Sequence, residues 1–200
     1  MEALTDILIG IDHHVLKGDT GLEVANLVFD SRNVQKNDAF VAVKGTHLDG
    51  HTFIQQAIEK GARAIILEEA PQELDDQVGY VQVDDSANAL GIMAHNFYHQ
   101  PSHQLSLVGV TGTNGKTTTA YLLYNLFTNL AYQAGLISTI NTKYNGKQID
   151  ASLTTPDPVT INATLSDMVN HNVSHVFMEV SSHALDQDRV AGLNFTGGIF

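Results

Sequence analysis

Short apolar runs alternate with longer amphipathic ones along most of the chain, the pattern of strands interleaved with crossover helices. AFVAV (39–43) reads as a buried strand. HTFIQQAIEKGA (51–62) places Phe53, Ile54, Ala57 and Ile58 at helical spacing and then meets Gly61, a stop signal. AIILEE (64–69) and YVQVD (80–84) are further strands, and a helix is expected from Ser86, taken as its N-cap, to about Tyr98. HQPSHQ (99–104) reads as a turn-rich linker, which sets a domain boundary near residue 100.

Beyond that linker the order is strand LSLVGVT (105–111), a Gly-bearing loop, and helix AYLLYNLFTNLA (120–131), apolar on most faces. A strand AGLISTI (134–140), a hairpin around Asn145-Gly146, a helix over about 159–170 and the strand HVFMEVS (175–181) follow. Strand, loop, helix, strand is what a mostly parallel sheet requires, so the predicted class is α/β. A first domain over 1–100 would precede a second over 101–200. FTGGIF (195–200) reads as a strand entering a core.

Composition narrows the function. Ten Lys and Arg against 22 Asp and Glu give a formal charge of -12, which argues against nucleic-acid and anionic-membrane partners. Any anionic ligand must then be held by local devices: a few placed cations, a helix N-terminus or a divalent metal. With no cysteine, disulfides, thiolate zinc sites and cysteine nucleophiles are excluded. MEALTDILIGIDHH lacks the charged and apolar regions of a signal peptide, and no apolar run approaches the ~20 residues of a membrane span, so a cytoplasmic protein is expected. His13 and His14 have no metal-like partner set and read as surface residues.

The most informative stretch is LSLVGVTGTNGKTTTAYLL. Gly112 and Gly115 let backbone N–H groups turn inward around phosphate oxygens, with Thr113 and Asn114 between them. Lys116 supplies a cation for the β- and γ-phosphates, and Thr117 a hydroxyl for Mg²⁺, where a helix begins; Thr118 completes the loop. The spacing departs from GxxxxGK[ST]: the first glycine would fall at Val110, and Gly109 comes one residue early. The reading of this loop as that of an NTPase that uses hydrolysis for motion lacks a candidate water-orienting residue.

The loop GVTGTNGKTTT resembles the Mur ligase superfamily of ATP-dependent amide-forming enzymes. FDSRNVQKNDAFVAVKGTHLDGHTFIQQAIEKGARAII is similar to the uridine-nucleotide-binding first domain of its MurE and MurF branches, and TTPDP (154–158) with MEVSSHALDQDRV (178–190) resembles the MurE branch. That resemblance implies a small N-terminal uridine-nucleotide-binding domain followed by the first half of a central ATPase domain. It implies ATP and Mg²⁺ as cofactors, and UDP-N-acetylmuramoyl-L-alanyl-D-glutamate and a diamino acid as substrates, meso-diaminopimelate favoured over L-lysine. Phosphorylation of the terminal carboxylate and attack of the amine on the acyl phosphate would make the amide.

By the same resemblance Lys116 and Glu179 are catalytic, and Thr117 and Glu179 are the metal ligands. Phe29, Ser31, Thr46, His47, Leu48, Thr154, Thr155, Ser181, Gln187 and Arg189 bind the UDP-muramoyl-peptide. His183 receives no role. A monomer is expected. The family's DHxxxH segment, carbamylated lysine and C-terminal domain do not occur in these 200 residues. The expectation is therefore an N-terminal portion, inactive alone; the alternative is a non-catalytic nucleotide- or UDP-sugar-binding module.

Overall fold

Residues 1–45 and 48–200 are described by a computed structural model, and they divide into two units, Met1–Phe97 and Tyr98–Phe200. The first contains β1 (Glu2–Ala3), α1 (Leu4–Ile7), β2 (His13–Lys17), β3 (Glu23–Val24), β4 (Leu27–Val28), β5 (Ala39–Val41), α2 (Ile54–Glu59), β6 (Ala64–Leu67), β7 (Gly79–Val83) and α3 (Ser86–Phe97). Its main sheet has the order β2-β7-β6-β5-β4, parallel from β4 to β7 with β2 antiparallel at the edge. β5 and β6 are buried throughout, which is why they read as continuous apolar runs. His13 and His14 lie exposed on edge strand β2.

The starts of α2 and α3 differ from the sequence reading. Residues 50–53 form a short 3₁₀ turn, with Asp49 accepting from His51 N–H, before α2 begins at Ile54. The N-cap of α3 is Asp85, whose Oδ1 accepts from the N–H groups of Ala87 and Asn88. Ser86 is instead the first helical residue, and its hydroxyl donates to Glu68 Oε1 at 2.7 Å. A carboxylate from a neighbouring strand end thus claims the side chain that the local sequence offers as a cap.

The second unit contains β8 (Ser106–Val110), α4 (Lys116–Asn129), β9 (Ala134–Ile137), β10 (Asn141–Tyr144), β11 (Lys147–Asp150), α5 (Pro158–Asn170), β12 (His175–Glu179), α6 (Ser182–Asp186) and β13 (Gly197–Ile199). Its sheet has the order β11-β10-β9-β12-β8-β13; β9, β12, β8 and β13 are parallel, and β10 and β11 form an antiparallel hairpin at one edge. Asn145 and Gly146 both have positive φ, as a two-residue hairpin turn demands. The α/β class with mostly parallel sheets is therefore what the chain adopts.

α4 starts at Lys116, four residues before the apolar run suggests, because the loop glycine at 115 and not the first apolar residue sets its beginning. Its inner face, Ala120, Leu123, Tyr124 and Phe127, packs on Val110, Leu136 and Phe177, while Leu122, Leu126 and Leu130 are exposed. Residues 99–104 do turn, with a 3₁₀ turn over Pro101–His103, and the segment is packed: Pro101 and Ser102 are buried, and Ser102 Oγ accepts from Asn194 N–H at 2.8 Å. FTGGIF contains β13, which pairs in parallel with β8. No helix among the described residues is long and apolar enough to cross a membrane.

Candidate functional site

Parallel strands deliver their following loops to one edge of a sheet, where ligand crevices form. Val110 at the end of β8 pairs with Glu179 at the end of β12, and Ile137 at the end of β9 pairs with Met178. The loop 111–115, the turn 138–140 and the segment after Glu179 therefore leave the sheet side by side. Val110 is buried in β8 and takes no part in the loop's turn.

Gly112 and Gly115 have φ of 128° and 82°, a backbone region that costs a side chain about 1–2 kcal/mol. Thr113 and Asn114 between them are exposed. Gly115 is the N-cap of α4 and offers no side-chain acceptor, so the first-turn N–H groups at Lys116, Thr117 and Thr118 are left for an anion. Lys116 Nζ donates to Gly112 O at 2.7 Å, holding the ammonium over the loop. The loop thus combines a helix N-terminus, two left-handed glycines and a cation.

Thr117 points the other way, toward the sheet. Its hydroxyl donates to Glu179 Oε2 at 3.0 Å. Glu179 is fully buried, and among the described residues no cation pairs with it. Its desolvation must be offset by hydrogen bonds. Thr139 supplies two: its N–H to Oε1 at 2.9 Å and its hydroxyl to Oε2 at 3.1 Å. Because Thr117 gives its proton to the carboxylate, its lone pairs remain available to a cation.

The donor set fits Mg²⁺. No group of three or more His, Cys, Asp or Glu among the described residues could hold a metal. Mg²⁺ does not require one, since it is commonly bound by one or two protein oxygens with phosphate and water completing the shell. Glu179 and Thr117, joined by their hydrogen bond, could serve as such a pair.

The TTP segment is fixed to the same strand end. Thr155 is fully buried; its hydroxyl donates to Glu179 O at 2.9 Å and accepts from Ser181 N–H at 3.0 Å. Thr154 Oγ1 lies 3.2 Å from Thr139 Oγ1. Ser181 caps α6 by accepting from Ala184 N–H at 3.2 Å. Arg189 donates from Nη1 to Thr155 O at 2.9 Å, and from Nε and Nη2 to Gln187 Oε1 at 3.0 and 2.6 Å. Three of its five N–H groups are thus spent on bracing the TTP segment. His183 is exposed on α6.

Lys116, Thr117, Glu179, Thr154, Thr155, Ser181, Gln187 and Arg189 accordingly gather in one unit. Thr139 joins them although nothing in its residue type or spacing marks it. Ser31 is buried with its hydroxyl donating to Gln56 Oε1 at 2.7 Å, whereas Phe29 and Leu48 are exposed. Thr46 and His47 lie outside the described residues. A cleft of about 370 Å³ in this unit is lined by His51, Gln55, Ile58, Leu74 and Tyr80 among others, and not by Phe29, Ser31 or Leu48.

Comparison with known proteins gives a consistent picture. Residues 110–200 match the Mur ligase middle domain, and residues 23–98 match the Mur ligase family catalytic domain. The chain is 48% identical over 198 residues to UDP-N-acetylmuramoyl-L-alanyl-D-glutamate--2,6-diaminopimelate ligase of Cytophaga hutchinsonii, covering 98% of this chain and 41% of that protein. A solved structure of a ligase of the same name superposes with a TM-score of 0.81 at 22% identity, over 98% of this chain and 39% of its own. The MurF ligase from Thermotoga maritima, solved in complex with ADP, is similar at a TM-score of 0.50 and 30% identity, over 80% of this chain and 32% of its own. The chain spans about two fifths of the length of the curated relatives it matches.

Proposed function

The chain belongs to the Mur ligase family, and from that premise we propose that it carries the ATP site and the UDP-substrate unit of an amide ligase of peptidoglycan precursor synthesis. The observation that carries this reading is the junction of Thr117 with Glu179 beside the glycine loop that holds Lys116. Such a junction suits phosphoryl transfer, in which positioning and charge neutralisation do most of the work.

In this reading Gly112 to Thr118 wrap the triphosphate, and Lys116 leaves Gly112 O to neutralise the β- and γ-phosphates. Thr117 and Glu179 would hold Mg²⁺, which when bound offsets charge on the phosphate oxygens. Thr154, Thr155, Ser181, Gln187 and Arg189 form or brace the wall that orients the acceptor carboxylate, so that it is phosphorylated in line and then attacked by an amine. The first unit, through Phe29, Ser31, Thr46, His47 and Leu48, takes the uridine end. The name of the Cytophaga relative supports 2,6-diaminopimelate as the amine, in preference to lysine. The substrates are those of a cytoplasmic enzyme, and we expect a monomer. Residues 1–200 alone are proposed to bind nucleotide without ligating.

The test is amino-acid-dependent phosphate release by the gene product containing these residues, given ATP, Mg²⁺ and UDP-N-acetylmuramoyl-L-alanyl-D-glutamate. Release with meso-diaminopimelate, exceeding that with L-lysine, is the expected result. Equal or greater release with lysine would reject the assigned amine. No release with either would favour a non-catalytic binding module.

A further inference from the structure

We propose that Thr139 is a positioning residue for Glu179, fixing the carboxylate in the orientation from which it would hold the nucleotide's Mg²⁺ together with Thr117. The inference rests on the nucleotide reading above and deepens it. Thr139 touches both carboxylate oxygens, through its N–H at 2.9 Å and its hydroxyl at 3.1 Å. One residue therefore sets the plane of a fully buried carboxylate.

The turn bearing Thr139 is itself built to hold still. Ser138 Oγ accepts from the N–H groups of Ile140 and Asn141 at 3.3 and 3.1 Å, and donates to Asn141 O at 2.7 Å. Asn141 Oδ1 accepts from Tyr121 OH at 2.6 Å. Tyr121 stands one helical turn after Thr117 on α4, so that helix steadies both the carboxylate and the turn that grips it.

A hydroxyl has a single proton, and an ionised acceptor makes the stronger bond. Thr139 accordingly gives its proton to Glu179 and accepts from Thr154, whose oxygen is 3.2 Å away. Thr154, Thr139 and Glu179 form a directed chain from the TTP segment to the metal carboxylate. Valine at 139 would keep the shape and the N–H while removing this link; serine would keep it.

Two measurements on the 200-residue chain test the assignment. The first is a double-mutant cycle of Thr139→Val with Glu179→Gln in urea unfolding, which needs no nucleotide. Thr139→Val should lower the folding constant roughly tenfold in the wild-type background and by a clearly smaller factor in the Glu179→Gln background. The second is ADP binding by calorimetry with and without Mg²⁺. Thr139→Val should weaken the Mg²⁺-dependent component roughly ten- to hundredfold, leave metal-free ADP binding unchanged, and be rescued by Thr139→Ser. An uncoupled cycle overturns the proposal. So does a coupled cycle with wild-type Mg²⁺ dependence in Thr139→Val, since Thr139 would then be structural only. A wild-type chain that binds no ADP while the cycle stays coupled would instead refute the nucleotide reading, and the metal role of Thr139 with it.

Discussion

Thr117 at the start of α4 and Glu179 at the end of β12, 62 residues apart in sequence, are joined by a 3.0 Å hydrogen bond in which the threonine hydroxyl donates. The bond ties the phosphate loop to the sheet edge. Three donors converge on Glu179, counting the two from Thr139, and none of them is a cation.

Glu179→Ala should therefore unfold the second unit more readily than its small change in apolar area suggests. The donors left without an acceptor cost about 1–3 kcal/mol each where water cannot reach them. Glu179→Gln keeps the shape and should fold, but should lose most of the Mg²⁺-dependent gain in nucleotide affinity. Urea denaturation and Mg²⁺ titration of ADP binding separate the two effects. A Glu179→Gln chain with unchanged Mg²⁺ dependence would remove the carboxylate from the metal role.

Thr155 is a second such junction. Thr155→Val strands Glu179 O and Ser181 N–H together and should cost about 2 kcal/mol or more, whereas Thr155→Ser should cost less than half as much. Urea midpoints of the two variants check this. A loss in Thr155→Ser that equals or exceeds the loss in Thr155→Val would mean that the methyl group's packing matters at least as much as the two hydroxyl bonds.

Away from the site, Asp167 of α5 receives Tyr144 OH and, at 2.9 Å, Lys147 Nζ from the β10–β11 hairpin. The Tyr144 hydroxyl first, then Lys147, holds the Asp167 carboxyl below its ordinary value of 3.8. Its stabilising effect is present above that value and is lost as pH falls through the lowered one. Burial first, then Asp167, pushes Tyr144 up to about 12, so the tyrosine's contribution is complete below its ordinary value of 10.0 and is lost on the way to about 12. Asp167→Asn should flatten the loss of stability below about pH 4 and bring the Tyr144 titration closer to its ordinary value. The acid effect is small because the Asp167 side chain is 40% exposed and its pairing with Lys147 is screened. Urea midpoints across the acid range, with ultraviolet titration of the phenol, check both arms; an unchanged acid limb would contradict the first.

What the sequence discloses follows from how local each constraint is. Gly112 and Gly115 stand at positive φ, so the loop is written in residue types that the backbone demands. Asn145-Gly146 is legible for the same reason. Thr139 is not, because AGLISTI reads as an unbroken strand; the hydroxyl of Ser138 ends it after Ile137 by a bond that composition does not foretell. Ser86 and Asp85 are both good caps, and only Glu68, from another strand, decides between them. Arg189 reads as a fork for a substrate anion, yet three of its donors are taken by Gln187 and Thr155 O, acceptors that only the tertiary fold brings within reach.

The central claim is that the loop from Gly112 to Thr118, with Glu179, binds a magnesium nucleotide. Calorimetric titration of ATP into the chain, with Mg²⁺ and with EDTA, tests it in the wild type and in Lys116→Ala. The account predicts binding strengthened by Mg²⁺ in the wild type and weakened roughly 10- to 100-fold by Lys116→Ala. Folding stability should hardly change, since Lys116 makes a single half-buried bond to Gly112 O. A wild-type chain that takes up no ATP, or a Lys116→Ala chain that binds it as tightly as the wild type, would contradict the account.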